Sequence, residues 1–154
     1  MRTLPLTASD AEIQELVIEW SELLAQKRFR EALDLIPHST DEVDWTPELL
    51  EHAIAGYGVL GADPETLDDL LRRHGVARFE ITTLIGRDDR QEIVDKIWVD
   101  RDSLFGLDPA HYLGMVHYND VPLSGFRSDL TARFHIARVG PARLALEFLD
   151  LHVM

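Results

Sequence analysis

Apolar residues recur at helical spacing through the first part of the chain. Ser9 and Glu12 have the spacing of a capping box, which marks the start of a helix. The apolar stripe that follows comprises Ile13, Leu16, Val17, Trp20, Leu23 and Leu24. This pattern predicts a long first helix whose Trp20 faces the core. A short companion helix is predicted from Phe29 to Ile36, because Pro37 cannot continue it.

Two further helices are indicated by an N-capping residue that is followed directly by proline. The first begins at Thr46 and stops near Gly56. The second begins at Asp63, carries basic residues in its last turn and ends at Gly75. Residues 9–75 are therefore predicted to be mainly helical.

From residue 77 the periodicity changes from helical to alternating, which is typical of half-buried strands. Five strands are predicted, over residues 77–85, 91–100, 111–118, 127–139 and 142–154. No strand is expected before residue 50, and no linker or repeat divides the chain. The sequence thus predicts one α+β domain, residues 1–154, with N-terminal helices packed on a twisted C-terminal antiparallel sheet of about five strands.

The order of these elements resembles a known superfamily. A capped first helix, the short KRFREALDL companion, and strands ending in GFRSDLTARFHI and LALEFLDLHVM are similar to the nuclear-transport-factor-2-like, cystatin-like α+β cone. The segments SDLT at 128–131 and DLHV at 150–153 also resemble uncharacterised bacterial domains of that kind. The resemblance implies a cone whose members serve as isomerases, dehydratases or protein-binding modules, so it does not by itself assign a function. The additional helix at 63–74 departs from the pattern and is expected to cap or fill the cone.

Composition narrows the classes of function. The net charge of −13 disfavours nucleic acids and anionic membranes, and it favours a basic protein partner. The absence of cysteine excludes disulfides and thiolate metal sites. No apolar stretch approaches the ~20 residues of a membrane span, and the N-terminus lacks the apolar core of a signal peptide. We therefore expect a cytoplasmic protein, and the scarcity of lysine beside arginine suggests a bacterial one.

No segment carries the signature of a cofactor or metal site. Residues 56–61, GYGVLG, match the G-x-G-x-x-G pattern of dinucleotide sites, but that motif must follow a strand and open a helix. Because the preceding segment is predicted to be helical, these glycines are interpreted as its C-cap and the loop that follows. The histidines form no H-E-x-x-H motif, and the sequence predicts no metal and no cofactor.

One constellation on the last predicted strand suggests chemistry. Leu146 and Phe148 share a face by alternation, and Asp150 and His152 are the next two positions on that face. If Phe148 points into the core, a carboxylate and an imidazole lie near one end of the cone, where they suit acid–base chemistry on a small ligand.

Trp98, with His117 or Tyr118, is expected to line the same space and complete a ligand-binding site. The competing interpretation is that a bulge shifts the register. Leu149, Leu151 and Val153 are then buried, and Asp150 and His152 lie in water.

The other face of the fourth predicted strand suggests an interface. Thr131, Arg133 and His135 alternate with apolar residues and are expected to meet a protein partner or a second copy, forming a homodimer. Three hypotheses follow, one of which is a structural, fold-only paralogue with no separable activity. The preferred one is a non-enzymatic protein-binding domain of bacterial immunity or regulatory type. The alternative is a small-molecule binder or isomerase/dehydratase that uses a pocket inside the cone.

Overall fold

A computed structural model describes residues 1–40, 43–102, 104 and 106–153. Its helices are α1 (Asp10–Ala25), α2 (Phe29–Leu35), α3 (Pro47–Ala55), α4 (Pro64–His74) and α5 (Arg90–Val94). Its strands are β1 (Thr3–Pro5), β2 (Ile97–Asp100), β3 (Tyr112–Tyr118), β4 (Pro122–Leu123), β5 (Phe126–Arg127), β6 (Leu130–Val139) and β7 (Arg143–Val153). Met154, the last residue of the predicted final strand, lies outside the described residues. Within the described ranges, no helix is long and apolar enough to cross a bilayer.

Five strands form one curled sheet in the order β1-β7-β6-β3-β2, and β4 pairs with β5 in a separate hairpin. Each neighbouring pair of strands is antiparallel. Helix α1 packs across one side of the sheet, which we call the inner face, and the opposite side is the outer face. The predicted α+β class, with N-terminal helices on a C-terminal antiparallel sheet, is confirmed.

The first helix begins as its capping box predicts. Glu12 N–H donates to the Ser9 hydroxyl over 3.3 Å, and Ser9 N–H donates to the Glu12 carboxylate over 2.8 Å. Trp20 is only 1% exposed, so its predicted place in the core is confirmed. Gln14 donates from its side chain to the Ile97 carbonyl over 2.9 Å, which ties α1 to the edge strand β2.

Four aromatic side chains fill the space between α1 and the inner face. The ring of Trp20 lies 5.1 Å from Phe134 in an edge-to-face arrangement and 5.2 Å from Phe148. Trp45 contacts Phe148 from the other side at 5.0 Å, and its indole N–H donates to the Leu149 carbonyl over 2.7 Å. The space between α1 and the curled sheet is therefore occupied by packed rings.

The caps of α3 and α4 also follow the sequence. The Thr46 hydroxyl accepts from Leu49 N–H, and the Asp63 carboxylate accepts from Thr66 N–H. Gly56 is the C-cap of α3, so GYGVLG follows a helix and not a strand, as the sequence interpretation required. Gly75 ends α4 in the left-handed conformation, with φ of 66°.

A strand does occur before residue 50, contrary to the prediction. β1 pairs with β7 at one edge of the sheet, with Thr3 opposite Ala145 and Pro5 opposite Arg143. Three residues are too few to display a period of two, so β1 leaves no readable alternation. Its position is set by the free edge that β7 offers.

The first predicted strand, residues 77–85, is not a strand of the sheet. Phe79 and Ile81 are buried, as the alternation indicated, but the segment makes only one isolated bridge, from Ile81 to Leu123. Its other backbone bonds include Thr82 N–H to the Pro122 carbonyl. Alternation records which side chains are buried, whereas a strand also requires a neighbouring edge along its length.

The second predicted strand, 91–100, divides into a helix and a strand. Residues up to Val94 belong to α5, in which the adjacent Ile93 and Val94 are both buried, and only Ile97–Asp100 pair with β3. The hairpin of β4 and β5 was not predicted, because two-residue strands carry no periodic signal.

Candidate functional site

A β-bulge in β7 determines which side chains reach the outer face. Phe134 of β6 pairs with Phe148, but the neighbouring Arg133 pairs with Asp150. Leu149 is therefore an extra residue without a register partner. An extra residue inverts the alternation, because every position beyond it points to the opposite face.

The expectation that Asp150 and His152 follow Phe148 into the interior is consequently wrong. Both side chains lie on the outer face, and the competing interpretation of a bulge describes the register that the structure has. Leu149 and Leu151 are buried as that interpretation states, whereas Val153 at the end of β7 is 39% exposed.

The register aligns four of the candidate side chains across four strands. Trp98 is opposite His117, His117 is opposite Arg133, and Arg133 is opposite Asp150. We call these four residues the first row. His152 lies beside the row, two residues beyond Asp150 on the same strand. Four of the five predicted ligand-binding residues thus come together, but on the face away from the core.

Tyr118, the fifth, lies on the inner face. It pairs with Ile97 and Ala132, both of which are buried, and it is fully buried itself. Burial raises the pKa of the Tyr118 hydroxyl above its ordinary value of 10.0. The expected grouping of Tyr118 with Asp150 and His152 is not found. Consecutive residues of a strand point to opposite faces, so His117 is on the outer face and Tyr118 on the inner face.

Charged and aromatic contacts link the side chains along the first row. Arg133 donates two hydrogen bonds to the Asp150 carboxylate, one of them from Nε over 2.9 Å. Nδ1 of His152 lies 3.2 Å from Oδ1 of Asp150. At the other end, the rings of Trp98 and His117 lie 5.6 Å apart with an interplanar angle of 31°.

A second row of residues lies beside the first on the outer face, and it contains His135, a predicted interface residue that is buried. It runs from Asp100 through Met115 and His135 to Glu147. His135 is 6% exposed beneath the ring of Tyr112, which lies 4.9 Å away.

Thr131, which pairs with His152, is also buried. Thr131, Arg133 and His135 share the outer face as predicted, but only Arg133 remains substantially exposed among them. Trp98, at 60%, is the most exposed side chain of the first row.

The electrostatic environment holds Asp150 ionised. Burial by itself raises the pKa of Asp150, but the hydrogen bonds and charge of Arg133, with a further contribution from His152, outweigh it. They hold the pKa below its ordinary value of 3.8. For His117, burial and then the charge of Arg133 hold the pKa below its ordinary value of 6.5, while Asp100 and Asp150 oppose this shift.

A polar pair that the sequence analysis did not identify lies at one end of the sheet. The Tyr57 hydroxyl donates to the Asp129 carboxylate, and burial together with this carboxylate raises the pKa of Tyr57 above 10.0. The rings of His74 and Phe126 stack beside it, 4.7 Å apart. Phe79 completes this aromatic cluster, which closes that end with packed rings. The residues come from four separate segments, so no sequence motif records them.

The grooves that the structure describes lie elsewhere. Two have volumes of about 470 Å³ and share Arg2 and Glu19, beside α1. A smaller one of about 70 Å³ lies between Phe29, Phe79 and Ile81. None of the described grooves is lined by a residue of the first row. Among the described residues, no three histidine or carboxylate side chains are grouped as metal ligands would be.

Comparisons of the chain with protein-family models, with curated proteins and with solved structures found no significant match.

Replacing Asp150 with asparagine is expected to lower the free energy of unfolding by about 1–3 kcal/mol at neutral pH, because the partly buried Arg133 loses its counter-charge. The wild-type advantage is full above the unfolded pKa of Asp150 and is lost as pH falls through the lower folded pKa. Denaturant unfolding of Asp150→Asn and wild type near neutral pH and near pH 3 checks this.

The matched control is Asp34→Asn, on the exposed side of α2, which should change stability by less than about 0.5 kcal/mol at either pH. A difference between Asp150→Asn and wild type that stays constant, or grows, on acidification would contradict the role given to the Asp150 carboxylate.

Proposed function

We propose that the chain is a non-enzymatic protein-binding domain that acts in the bacterial cytoplasm, in a regulatory or immunity role. Its binding surface is the outer face of the sheet, and the partner that binds there is a second copy of the chain. The observation that carries the proposal is the first row, in which exposed Trp98 and the partly buried Arg133–Asp150 pair lie in one line across four strands. The resemblance to the nuclear-transport-factor-2-like superfamily belongs to this proposal, because outer sheet faces commonly mediate dimers in that fold.

Charge supports a second copy as the occupant. The chain carries a net charge of −13, so two copies repel each other over most of their surface. Among the described strand residues of the outer face, the charges nearly balance. The acidic and basic side chains there are Asp100, Glu147, Asp150, Arg133 and Arg143. The side of α1 away from the sheet, in contrast, carries Glu12, Glu15, Glu19 and Glu22. Two copies therefore meet with least repulsion at the outer face.

The first row is also self-complementary. In a two-fold symmetric dimer the same patch is used twice, and positions equally far from the axis exchange places. A two-fold axis at His117 brings Trp98 of one copy over Arg133 of the second copy. Arginine binds the face of an indole ring through cation–π attraction, and large aromatic residues with arginine are frequent anchors of interfaces.

The alternative hypothesis of an interior enzymatic pocket receives no support from these positions. Its named acid–base residues were Asp150 and His152, and both lie on the outer face. The rings of Trp20, Phe134 and Phe148 occupy the interior instead. A basic protein bound to the acidic side of α1 is the other occupant that the net charge suggests.

The test is the mass of the protein in solution at tens of micromolar. Light scattering should give twice the chain mass of 17.5 kDa for wild type. Trp98→Ala and Arg133→Glu should each weaken the dimer at least about tenfold, since they remove the aromatic or cationic anchor. Circular dichroism establishes that both variants remain folded.

Two matched controls show whether loss of the dimer is specific to substitutions on the outer face or follows from any surface substitution. Arg138→Glu reverses a charge on the same strand, but Arg138 pairs with the buried Leu144 and points to the other face. Ile85→Ala removes an apolar side chain that is 75% exposed outside the sheet. Both controls should remain dimeric. A monomeric wild type, or a dimer that survives both Trp98→Ala and Arg133→Glu, would overturn the proposal. If the protein is monomeric and binds only basic proteins, the binding surface is the acidic side of α1 and not the outer face.

A further inference from the structure

His117 occupies the centre of the proposed interface. It stands in the first row between Trp98 and Arg133 and is half-buried. The titratable and charged groups on the same face come from the two neighbouring strands and from β7 beyond them: Asp100 on β2, Arg133 and His135 on β6, and Glu147, Asp150 and His152 on β7.

The Asp150 carboxylate, which could otherwise balance a charge on His117, already interacts with Arg133 and His152. Asp150 accepts two hydrogen bonds from Arg133 and lies 3.2 Å from His152. A proton on His117 therefore adds a second positive charge directly opposite Arg133. Water screens part of that charge in the free chain, because His117 is only half-buried there.

We propose that self-association through the outer face is proton-linked at His117: two copies bind while its imidazole is neutral and separate when it is protonated. This inference rests on the self-association proposed above. A second copy covering the first row removes water from His117, and an imidazolium left there without water costs more than a neutral ring. Because the interface is two-fold symmetric, the penalty arises twice in each dimer.

The direction of the effect follows from the pKa of His117. Burial and the charge of Arg133 already hold it below 6.5 in the single chain, and burial by a second copy lowers it further. A base whose pKa is lower in the dimer than in the monomer favours the dimer at pH values above both pKa values. This preference is lost as pH falls through them.

The net charge of the chain predicts the opposite trend, which sharpens the test. As pH falls toward the pI of about 4.8, the net negative charge shrinks and the repulsion between copies weakens. Overall charge alone would therefore strengthen association on acidification, whereas protonation of His117 weakens it.

Sedimentation equilibrium of the full chain at about pH 8 and about pH 5.5 measures the dimer dissociation constant on both sides of the ordinary histidine pKa. Wild type should bind about tenfold more weakly at the lower pH, the change expected there when each His117 pKa falls by about one unit on association. His117→Gln keeps a neutral polar side chain, so its dimer should not weaken on acidification. His117→Arg carries a permanent charge and should be weakened at both pH values.

The control is His52→Gln, which removes a histidine from the exposed last turn of α3 and should retain the wild-type pH dependence. Circular dichroism at both pH values establishes that each variant is folded. A wild-type dimer whose affinity is constant or increases at low pH overturns the proton linkage while leaving the proposed function intact. So does a pH dependence that persists in His117→Gln. A wild type that is monomeric at both pH values overturns the proposed self-association itself, together with the linkage that depends on it.

Discussion

Replacing Trp20 with alanine is expected to lower the free energy of unfolding by about 3–5 kcal/mol, the range for deleting a large buried aromatic side chain. Trp20 is 1% exposed and contacts both Phe134 and Phe148, so its removal leaves a cavity between α1 and the sheet. Unfolding by guanidinium chloride, monitored by far-ultraviolet circular dichroism, measures the loss.

Two further tryptophan substitutions show which property of Trp20 matters. The indole N–H of Trp20 has no hydrogen-bond partner within the described part of the chain, so Trp20→Phe keeps most of the packing and should cost only about 1–2 kcal/mol. Trp98→Ala deletes the same side chain from a site that is 60% exposed and should change monomer stability by less than about 1 kcal/mol. Equal losses for Trp20→Ala and Trp98→Ala would contradict the assignment of Trp20 to the core.

Replacing Gly114 with alanine is expected to cost about 2–5 kcal/mol, because it adds backbone strain to a steric clash. Gly114 has φ of 147° at the irregularity in β3. A Cβ atom there would overlap the Asp100 carbonyl oxygen and lie 2.8 Å from the Arg101 Cα atom. Backbone atoms cannot swing aside as a flexible side chain does, so β2 and β3 must move apart. Thermal or denaturant unfolding measures the cost.

Gly61→Ala is the control for the strain alone. Gly61 also has positive φ, 71°, but a Cβ atom there would meet nothing within 4 Å. Its cost should be about 1–2 kcal/mol, that of a non-glycine residue in the left-handed region. If Gly114→Ala costs no more than Gly61→Ala, the close approach of β2 to β3 does not require glycine.

Local signals in the sequence were sufficient for the first four helices, although not for α5, which lies where a strand was predicted. The Ser9–Glu12 capping box, the proline after Thr46 and the glycine at residue 75 each act through hydrogen bonds or φ angles within a few residues. The apolar stripe of α1 then fixed which side of the helix is buried, because a single helical face has to meet the core. The place of Trp20 in the core was predictable for this reason.

The pairing partners of the strands were less accessible to the sequence. Within residues 77–85, alternation identified Phe79 and Ile81 as buried, but Thr83 on the same predicted face is exposed and Leu84 is buried instead. It also did not reveal that this segment lacks a strand partner beyond one isolated bridge. The three-residue β1 forms because β7 offers a free edge more than 130 residues away in the chain, with Thr3 opposite Ala145. Strand pairing is a contact between distant segments, so a local pattern does not encode it.

The candidate surface shows the same division within one strand. The sequence determined that Asp150 and His152 share a face with each other, because they are two residues apart. Only the tertiary structure decided which face, since the single extra residue Leu149 inverts the alternation between Phe148 and Asp150. The first row likewise depends on the register of four strands, so its members, distant in sequence, become neighbours only after the sheet has formed. The boundaries of α1 to α4 followed from interactions within a few residues, whereas the surface that we propose for binding followed from a bulge and three strand registers.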